Sequence, residues 1–390
     1  MRKMTPKAGR VFSDPARRSC VGPDFREIHG DGMKISETIA TPLARGGMTL
    51  CMALSLAGCA SIGSTYGNTT GAPATGIYVI QNTASHDTTA ASGAILQFSS
   101  TASGAASPVS TIATTNVAAA DLLATDALGN LYTTAIQGAA GRSLIEYPAG
   151  SANGAHPVRS IPFNSTTRLD AVNGLAVDPT GGIYASEDSG GIAIFSSTAT
   201  GSVAPGGYIL GDAQTGGGLS TLVVANAVTT DAKGNFYVID GGVGVAKPIV
   251  VFSTTATGNV APTRSLGGAL TTMAAGTPRS LATDTAGNLY VANVVAGVSS
   301  ILVFDHAASG NAPPLRTIGG SSTLLGCAGG IAVDTEGGFL YVVSTPRCGD
   351  TANPTVLKFS TTGTGNIAPI SKFNSSAWTN GDSALSIAVY

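Results

Sequence analysis

The chain has 390 residues, of which 11% are charged and 52 are glycine, and its formal net charge is −2. Scarce Glu and Lys beside recurrent Val, Ile, Thr and Gly argue against a mainly helical fold and favour many short strands joined by tight turns. Residues 59–390 carry eleven basic and seventeen acidic side chains, which excludes the basic stripe of a nucleic-acid binder, and their apolar runs are too interrupted to span a bilayer as helices.

The first element in chain order is "MTLCMALSLAGCAS" (48–61), a compact apolar run ending in Leu56-Ala57-Gly58-Cys59. It resembles the bacterial lipobox. The resemblance implies cleavage before Cys59, because the peptidase admits only small residues there, and a lipid on its thiol. A signal sequence should lie close to the N-terminus behind a short basic segment. From Met1 that segment would be long and would include Asp14, Asp24, Glu27 and Asp31, whereas from Met33 it is short, with Lys34 and Arg45. The expected organisation is therefore upstream mistranslation over 1–32, a lipoprotein signal peptide over 33–58, and a lipidated, flexible Ser/Gly/Thr-rich tether over 59–75. A β-propeller follows over 76–390. Acyl chains contribute roughly 0.8 kcal/mol per buried CH₂, so Cys59 would anchor the protein to the membrane. Ala60, in place of an Asp at that position, favours the outer membrane by resemblance to Gram-negative lipoproteins.

From residue 122 onward one phrase recurs: an apolar strand, Asp-x-x-Gly-Asn/Gly, then a strand with Tyr. It reads "LLATDALGNLYTT" (122–134), "GLAVDPTGGIYAS" (174–186), "AVTTDAKGNFYVI" (227–239), "SLATDTAGNLYVA" (280–292) and "GIAVDTEGGFLYVV" (330–343). Asp126, Asp178, Asp231, Asp284 and Asp334 are 52, 53, 53 and 50 residues apart. Each copy continues with a third strand ending in an aromatic ("SLIEY", "IAIF", "IVVF", "ILVF", "TVLKF"). A turn such as "TGNVAP" and a fourth strand such as "TRSLGG" or "LRTIGG" complete it. Four strands in about fifty residues is the blade of a β-propeller. The repeated Asp is expected to accept hydrogen bonds from the backbone of its turn, with Gly and Asn at positive φ. Tyr132, Tyr184, Tyr237, Tyr290 and Tyr341 are expected to pack between blades. Equally spaced aspartates on separate blades do not make a metal ring.

The first copy lacks its first strand. "TGIYVIQNT" (75–83), "AILQFSS" (94–100) and "PVSTIAT" (108–114) supply only strands two to four. The C-terminal "LSIAVY" aligns with "GLAVD" and "GIAVD", with Tyr390 in the Asp position. The expected fold is an all-β, six-bladed propeller with four-stranded blades, the first closed by the strand at 383–390. The phrases "GIAVD", "LYV", "VF" and "R-T-I-G-G" resemble NHL-repeat and lactonase-like six-bladed propellers over nearly all of 76–390. Those families include enzymes, sensors and scaffolds, so the resemblance implies the fold and leaves the activity open.

Cys327 and Cys348 flank the first two strands of the last copy, in loops on one face, and are expected to form a disulfide. His86 lies on the opposite face from His156 and His306, which excludes a three-His zinc site. No phosphate loop or nucleophile elbow is present. The face with the two cysteines also collects variable loops bearing Asp87, Arg142, Arg168, Asp170, Lys247 and Asp350. The candidate binding residues on it are Glu187, Asp188, Asp240, Asn293, Arg279, Arg347 and Trp378. Glu187, Asp240 and Asn293 end second strands in successive blades. They are the one set that could hold a divalent metal of the lactonase-like kind, although no metal, cofactor or catalytic residue is assigned. The expected function is a monomeric envelope lipoprotein whose propeller is a scaffold for a protein or glycan. The alternatives are a metal-dependent hydrolase or lyase acting at the channel mouth, and a structural envelope component.

Overall fold

Alternating runs of Val, Ile, Leu and aromatic residues, each stopped by a Gly-containing turn, form antiparallel hairpins whose two faces must both be covered. The computed structural model describes residues 76–82, 93–113, 120–136, 141–152, 154–242, 248–273, 276–348, 353–378 and 386–390. In it each repeat is one antiparallel sheet, and six sheets form the ring.

Blade 1 takes its inner strand, Ile387–Val389, from the C-terminus and continues outward through Ile77–Asn82, Gly93–Phe98 and Ser110–Ala113. Blade 2 runs outward from Leu123–Thr125 to Arg159–Pro162, and blade 3 from Val172–Val177 to Gly207–Ile209. Blade 4 runs from Ala225–Thr230 to Arg264–Leu266, blade 5 from Thr277–Thr283 to Arg316–Ile318, and blade 6 from Cys327–Asp334 to Ser371–Asn374. The inner strands touch in sequence and the sixth touches the C-terminal strand, so the ring is closed. Among the described residues no helix is long and apolar enough to cross a membrane.

The core is divided into six apolar clusters, and each lies between two neighbouring blades. Side-chain size follows the wedge shape of a blade. Near the axis the inner strands carry Ala124, Ala176, Ala282, Ala332 and Ala388, all buried. Further out, third strands end in Phe98, Tyr147, Phe195, Phe252, Phe304 and Phe359, each at most 1% exposed. Full burial of such a ring contributes about 2–3 kcal/mol, and small residues at the axis let the blades converge.

The Asp-x-x-Gly turn makes the bonds the sequence indicated, but the positive φ falls on one Gly per turn (Gly129, Gly181, Gly234, Gly287 and Gly338) and not on the Asn as expected. Asp231 Oδ1 accepts from the backbone N–H of Lys233 and Asn235, both at 2.9 Å. Its Oδ2 accepts from Asn235 Nδ2 and from the Tyr237 hydroxyl, again at 2.9 Å. Asp126, Asp178 and Asp284 repeat the bond to the tyrosine six residues on. The tyrosine rings fill the clusters between blades, while Arg159, Arg264 and Arg316 of the outer strands donate to three of their hydroxyls. The same arginines reach carbonyls of Ser197, His306 and Thr361 in the next blade. A local turn residue thereby joins a chain of polar contacts that crosses the blade interface.

The "TGN" turns are clasps as well. Gly258 of blade 4 has φ +81° and bridges in parallel to Ile209 of blade 3. Gly310 and Gly365 do the same to Leu266 and Ile318. The following asparagines, Asn259, Asn311 and Asn366, accept from backbone N–H of Leu219, Leu270 and Ser322 in the preceding blade at 2.7 Å. Gly104–Ala105 of blade 1 pairs in the same parallel sense with Phe373 and Asn374 of blade 6. These clasps cover short outer strands that would otherwise be open sheet edges.

Candidate functional site

Inner strands begin at one end of the ring, and third strands, parallel to them within each blade, begin at that same end. Counting back from the repeated Asp gives three levels of residues lining a central cup of about 730 Å³. Five residues back stand Asp121, Asn173, Asn226, Arg279 and Gly329. Four back are Leu122, Gly174, Ala227, Ser280 and Gly330, with Ser386 at the matching place in the C-terminal strand. Three back are Leu123, Leu175, Val228, Leu281, Ile331 and Ile387. The cup therefore has a mostly polar rim, a waist of small residues apart from Leu122, and an apolar floor.

The rim exists because the inner strands bulge there. Register shifts fall between Ser186 and Glu187, between Ala225 and Ala227, between Pro278 and Ser280, and between Ala328 and Ile331. A bulge leaves an extra residue outside the ladder and re-aims its side chain. The displaced residues are Asn173, Asn226, Arg279 and the pair Gly329–Gly330. At the waist Ser280 Oγ accepts from the Ile331 N–H at 3.2 Å. Ser386 Oγ accepts likewise from the Leu123 N–H at 2.9 Å.

Charge is unevenly distributed around the rim. Blades 2 and 3 contribute Asp121, which is ion-paired with Arg142, together with Asp170, and Asp188 lies just outside the lining, against Asn173. Asp188 Oδ1 accepts from Asn173 Nδ2 at 3.3 Å, and its backbone N–H donates to Ala171. Blade 5, opposite blade 2 in the ring, contributes Arg279. Asp170 and Arg279 are exposed in the cup, and neither has an ion-pair partner among the described residues.

Of the predicted binding residues, the structure brings Arg279 to the cup and sets Asp188 beside it. Arg347 is exposed away from it. Glu187, Asp240 and Asn293 do not converge as the sequence had allowed, and none of them lines the cup. Glu187 and Asp240 end their second strands, Asn293 lies two residues before the end of its own, and all three are 1–4% exposed and engaged locally. Asp240 Oδ1 accepts from the N–H groups of Val223, Val224 and Gly242 and so holds the entry to blade 4. Asn293 Nδ2 donates to the Thr272 carbonyl. Glu187 Oε2 accepts from the Tyr208 hydroxyl at 3.2 Å, and its Oε1 is buried without a partner among the described residues. Burial pushes the Glu187 carboxyl up to about 7; the Tyr208 bond opposes this, Asp170 adds to it and Arg168 opposes it. The Arg168 guanidinium lies 3.8 Å above the Tyr208 ring centroid. Among the described residues no group of three His, Cys, Asp or Glu could hold a metal.

Trp378 is corrected outright from binding residue to core residue. It is 2% exposed and packs on Phe98 and Phe373 with centroids at 5.7 and 6.2 Å. The reason lies in a feature that sequence reading passed over. Ahead of inner strands the chain repeats a buried hydroxyl residue, one residue, then a large apolar one: Thr167 and Leu169, Ser220 and Leu222, Thr271 and Met273, Thr323 and Leu325. Residues between them, Arg168, Thr221, Thr272 and Leu324, take φ of 57–60°. That left-handed step turns the apolar side chain down between blades. Trp378 plugs the interface of blades 6 and 1 by a different turn, its backbone N–H donating to the carbonyl of buried Ser375 at 3.2 Å with no left-handed residue between them. The strings "TRL", "STL", "TTM" and "TLL" were the available signal.

Cys327 and Cys348 are joined by a disulfide with Cα atoms 4.9 Å apart. Cys327 opens the inner strand instead of preceding it, because pairing with Thr345 and Ala328–Ser344 extends beyond the Gly329–Gly330 bulge. Cys59, His86, Asp87, Lys247 and Asp350, with the segments 1–32, 33–58 and 59–75, lie outside the described residues.

No protein-family model matches the chain, and no curated protein matches it. Solved structures with a similar course include the RRP9 WD40 repeats, with TM-score 0.46 and 12% identity over 81% of this chain and 88% of that one. Raptor of Chaetomium thermophilum gives TM-score 0.46 and 14% identity over 78% of this chain and 25% of that one. The Cps50 (Swd1) β-propeller domain of Myceliophteria thermophila gives TM-score 0.41 and 7% identity over 62% of this chain. The match spans 65% of that domain's own length.

Proposed function

We propose that this protein is a binding module of the bacterial envelope, built on a propeller of NHL-like repeats and held to the membrane through a lipid on Cys59. The observation that carries the binding role is the cup, with its rim of re-aimed polar side chains over an apolar floor. A concave site of a few hundred cubic ångströms with few, placed polar groups suits a small ligand or a protruding part of a larger one. The partner is a protein or glycan presenting such a part, and the scaffold acts as a monomer. The lipobox at Leu56–Cys59 supports the anchor, and Ala60 supports the outer membrane as its place.

Two measurements test this reading. A photo-crosslinking amino acid at Asn226, on the rim, is expected to give a discrete adduct in native envelopes, whereas the same residue at Leu128 on the opposite face gives none. Equal labelling at both positions, or none at the rim, overturns the binding site. Metabolic labelling with a fatty acid is expected to mark the protein, and Cys59→Ala is expected to abolish the label; a label that survives the substitution overturns the anchor.

A further inference from the structure

The rim carries charges of opposite sign, without ion-pair partners among the described residues, on different sides of one cup. Asp170 stands before the inner strand of blade 3, and Arg279 is lifted into the cup by the bulge of blade 5. Asp121 is paired with Arg142, while Asp188 accepts from the neutral Asn173 amide and adds negative charge beside Asp170. Between them the floor offers Leu175, Val228, Leu281 and Ile331 and no charged group. Gly329 and Gly330 leave the rim of blade 6 without side chains, which makes room on that side.

Opposite charges that stay apart on the rim of a cup with an apolar floor favour a ligand carrying the complementary pair at its two ends. An ammonium suits the acidic sector of blades 2 and 3. A carboxylate suits a guanidinium, which donates a planar pair of hydrogen bonds. An apolar middle suits the floor. We propose that the cup binds a short zwitterionic peptide with aliphatic side chains, its free amino end at Asp170 and its free carboxylate at Arg279. This rests on the binding role assigned above and names the ligand class for that site.

The test uses full-length protein in detergent with Leu-Leu dipeptide as the probe, and N-acetyl-Leu-Leu, Leu-Leu amide and the doubly capped peptide as controls, read by calorimetric titration. Leu-Leu is expected to bind, and capping either end to weaken it by roughly 10–100-fold, the worth of a charge-assisted bond. Arg279→Met is expected to weaken Leu-Leu to the same degree and to leave the amide unchanged. Asp170→Asn is expected to weaken Leu-Leu and to leave the acetylated peptide unchanged. Both side chains are exposed, and the melting temperature of each unliganded variant checks that it folds. No binding of Leu-Leu at millimolar concentration overturns the inference. Equal binding of the doubly capped peptide, still lost when Asn226 is blocked, also overturns it while the binding role of the cup stands. Absence of a rim adduct in the crosslinking experiment removes that role together with this inference.

Discussion

Ser386 accepts a hydrogen bond through its Oγ from the backbone N–H of Leu123 at 2.9 Å, across 263 residues of sequence. Beside it the Thr125 hydroxyl donates to the Val389 carbonyl at 3.0 Å. The C-terminal strand thus completes the sheet of blade 1, with Ile77, Tyr78 and Val79 as its partners, and at the same time fastens blade 2.

Removal of 383–390 should therefore unfold more than one blade. It takes away a three-residue ladder, buried Ile387 and both contacts to blade 2, a loss on the order of 5 kcal/mol. The expected result is a markedly lower denaturation midpoint by circular dichroism; an unchanged midpoint rules out closure by this strand.

The Gly258 clasp tests whether strain or space governs that turn. An added Cβ meets nothing within 4 Å, yet φ is +81°. Gly258→Ala should cost about 1 kcal/mol and Gly258→Asn less, since Asn tolerates the left-handed region. Urea midpoints decide it, and an alanine variant as stable as the parent refutes the backbone argument.

Glu187 makes stability depend on pH in an unusual direction. Its carboxyl is raised from 4.5 in the unfolded chain to about 7 in the fold. The folded state therefore holds the proton more tightly. Its contribution is fully present below pH 4.5 and is lost as pH rises through 7, by roughly 3 kcal/mol at most. Glu187→Gln should come nearest the parent below pH 4.5 and exceed it in stability at pH 8. A difference that does not change with pH refutes the protonated, buried carboxyl.

The disulfide closes a loop with sequence separation 21 at the start of blade 6. Cys327→Ser with Cys348→Ser should cost roughly 3 kcal/mol by freeing the unfolded chain. Thermal melts of the double variant, and of the parent with and without reductant, check this; a parent whose melt ignores reductant contradicts it.

Much of the fold was legible because it is periodic. The spacing of Asp126, Asp178, Asp231, Asp284 and Asp334 marks the blades, and the shortage of one strand in the first copy points to the C-terminus. The site was less legible. Arg279 was expected among the loop-face binding residues, but so were Glu187, Asp240 and Trp378, all buried. Loop position says which end of a blade a residue occupies; it does not say whether its side chain turns toward the channel, toward a backbone N–H, or into the next blade. The bulges that make that choice are not written in any single residue.

The sequence by itself determined the strand repeat, the turn chemistry around each Asp, the closure of blade 1 and the pairing of Cys327 with Cys348, because local backbone preferences and fixed spacing govern all four. Only the tertiary structure decided that Asp170 and Arg279 share a cup while Glu187, Asp240 and Asn293 do not. Convergence at the axis depends on how six blades tilt and where each inner strand bulges, and those are set by packing between segments some fifty residues apart.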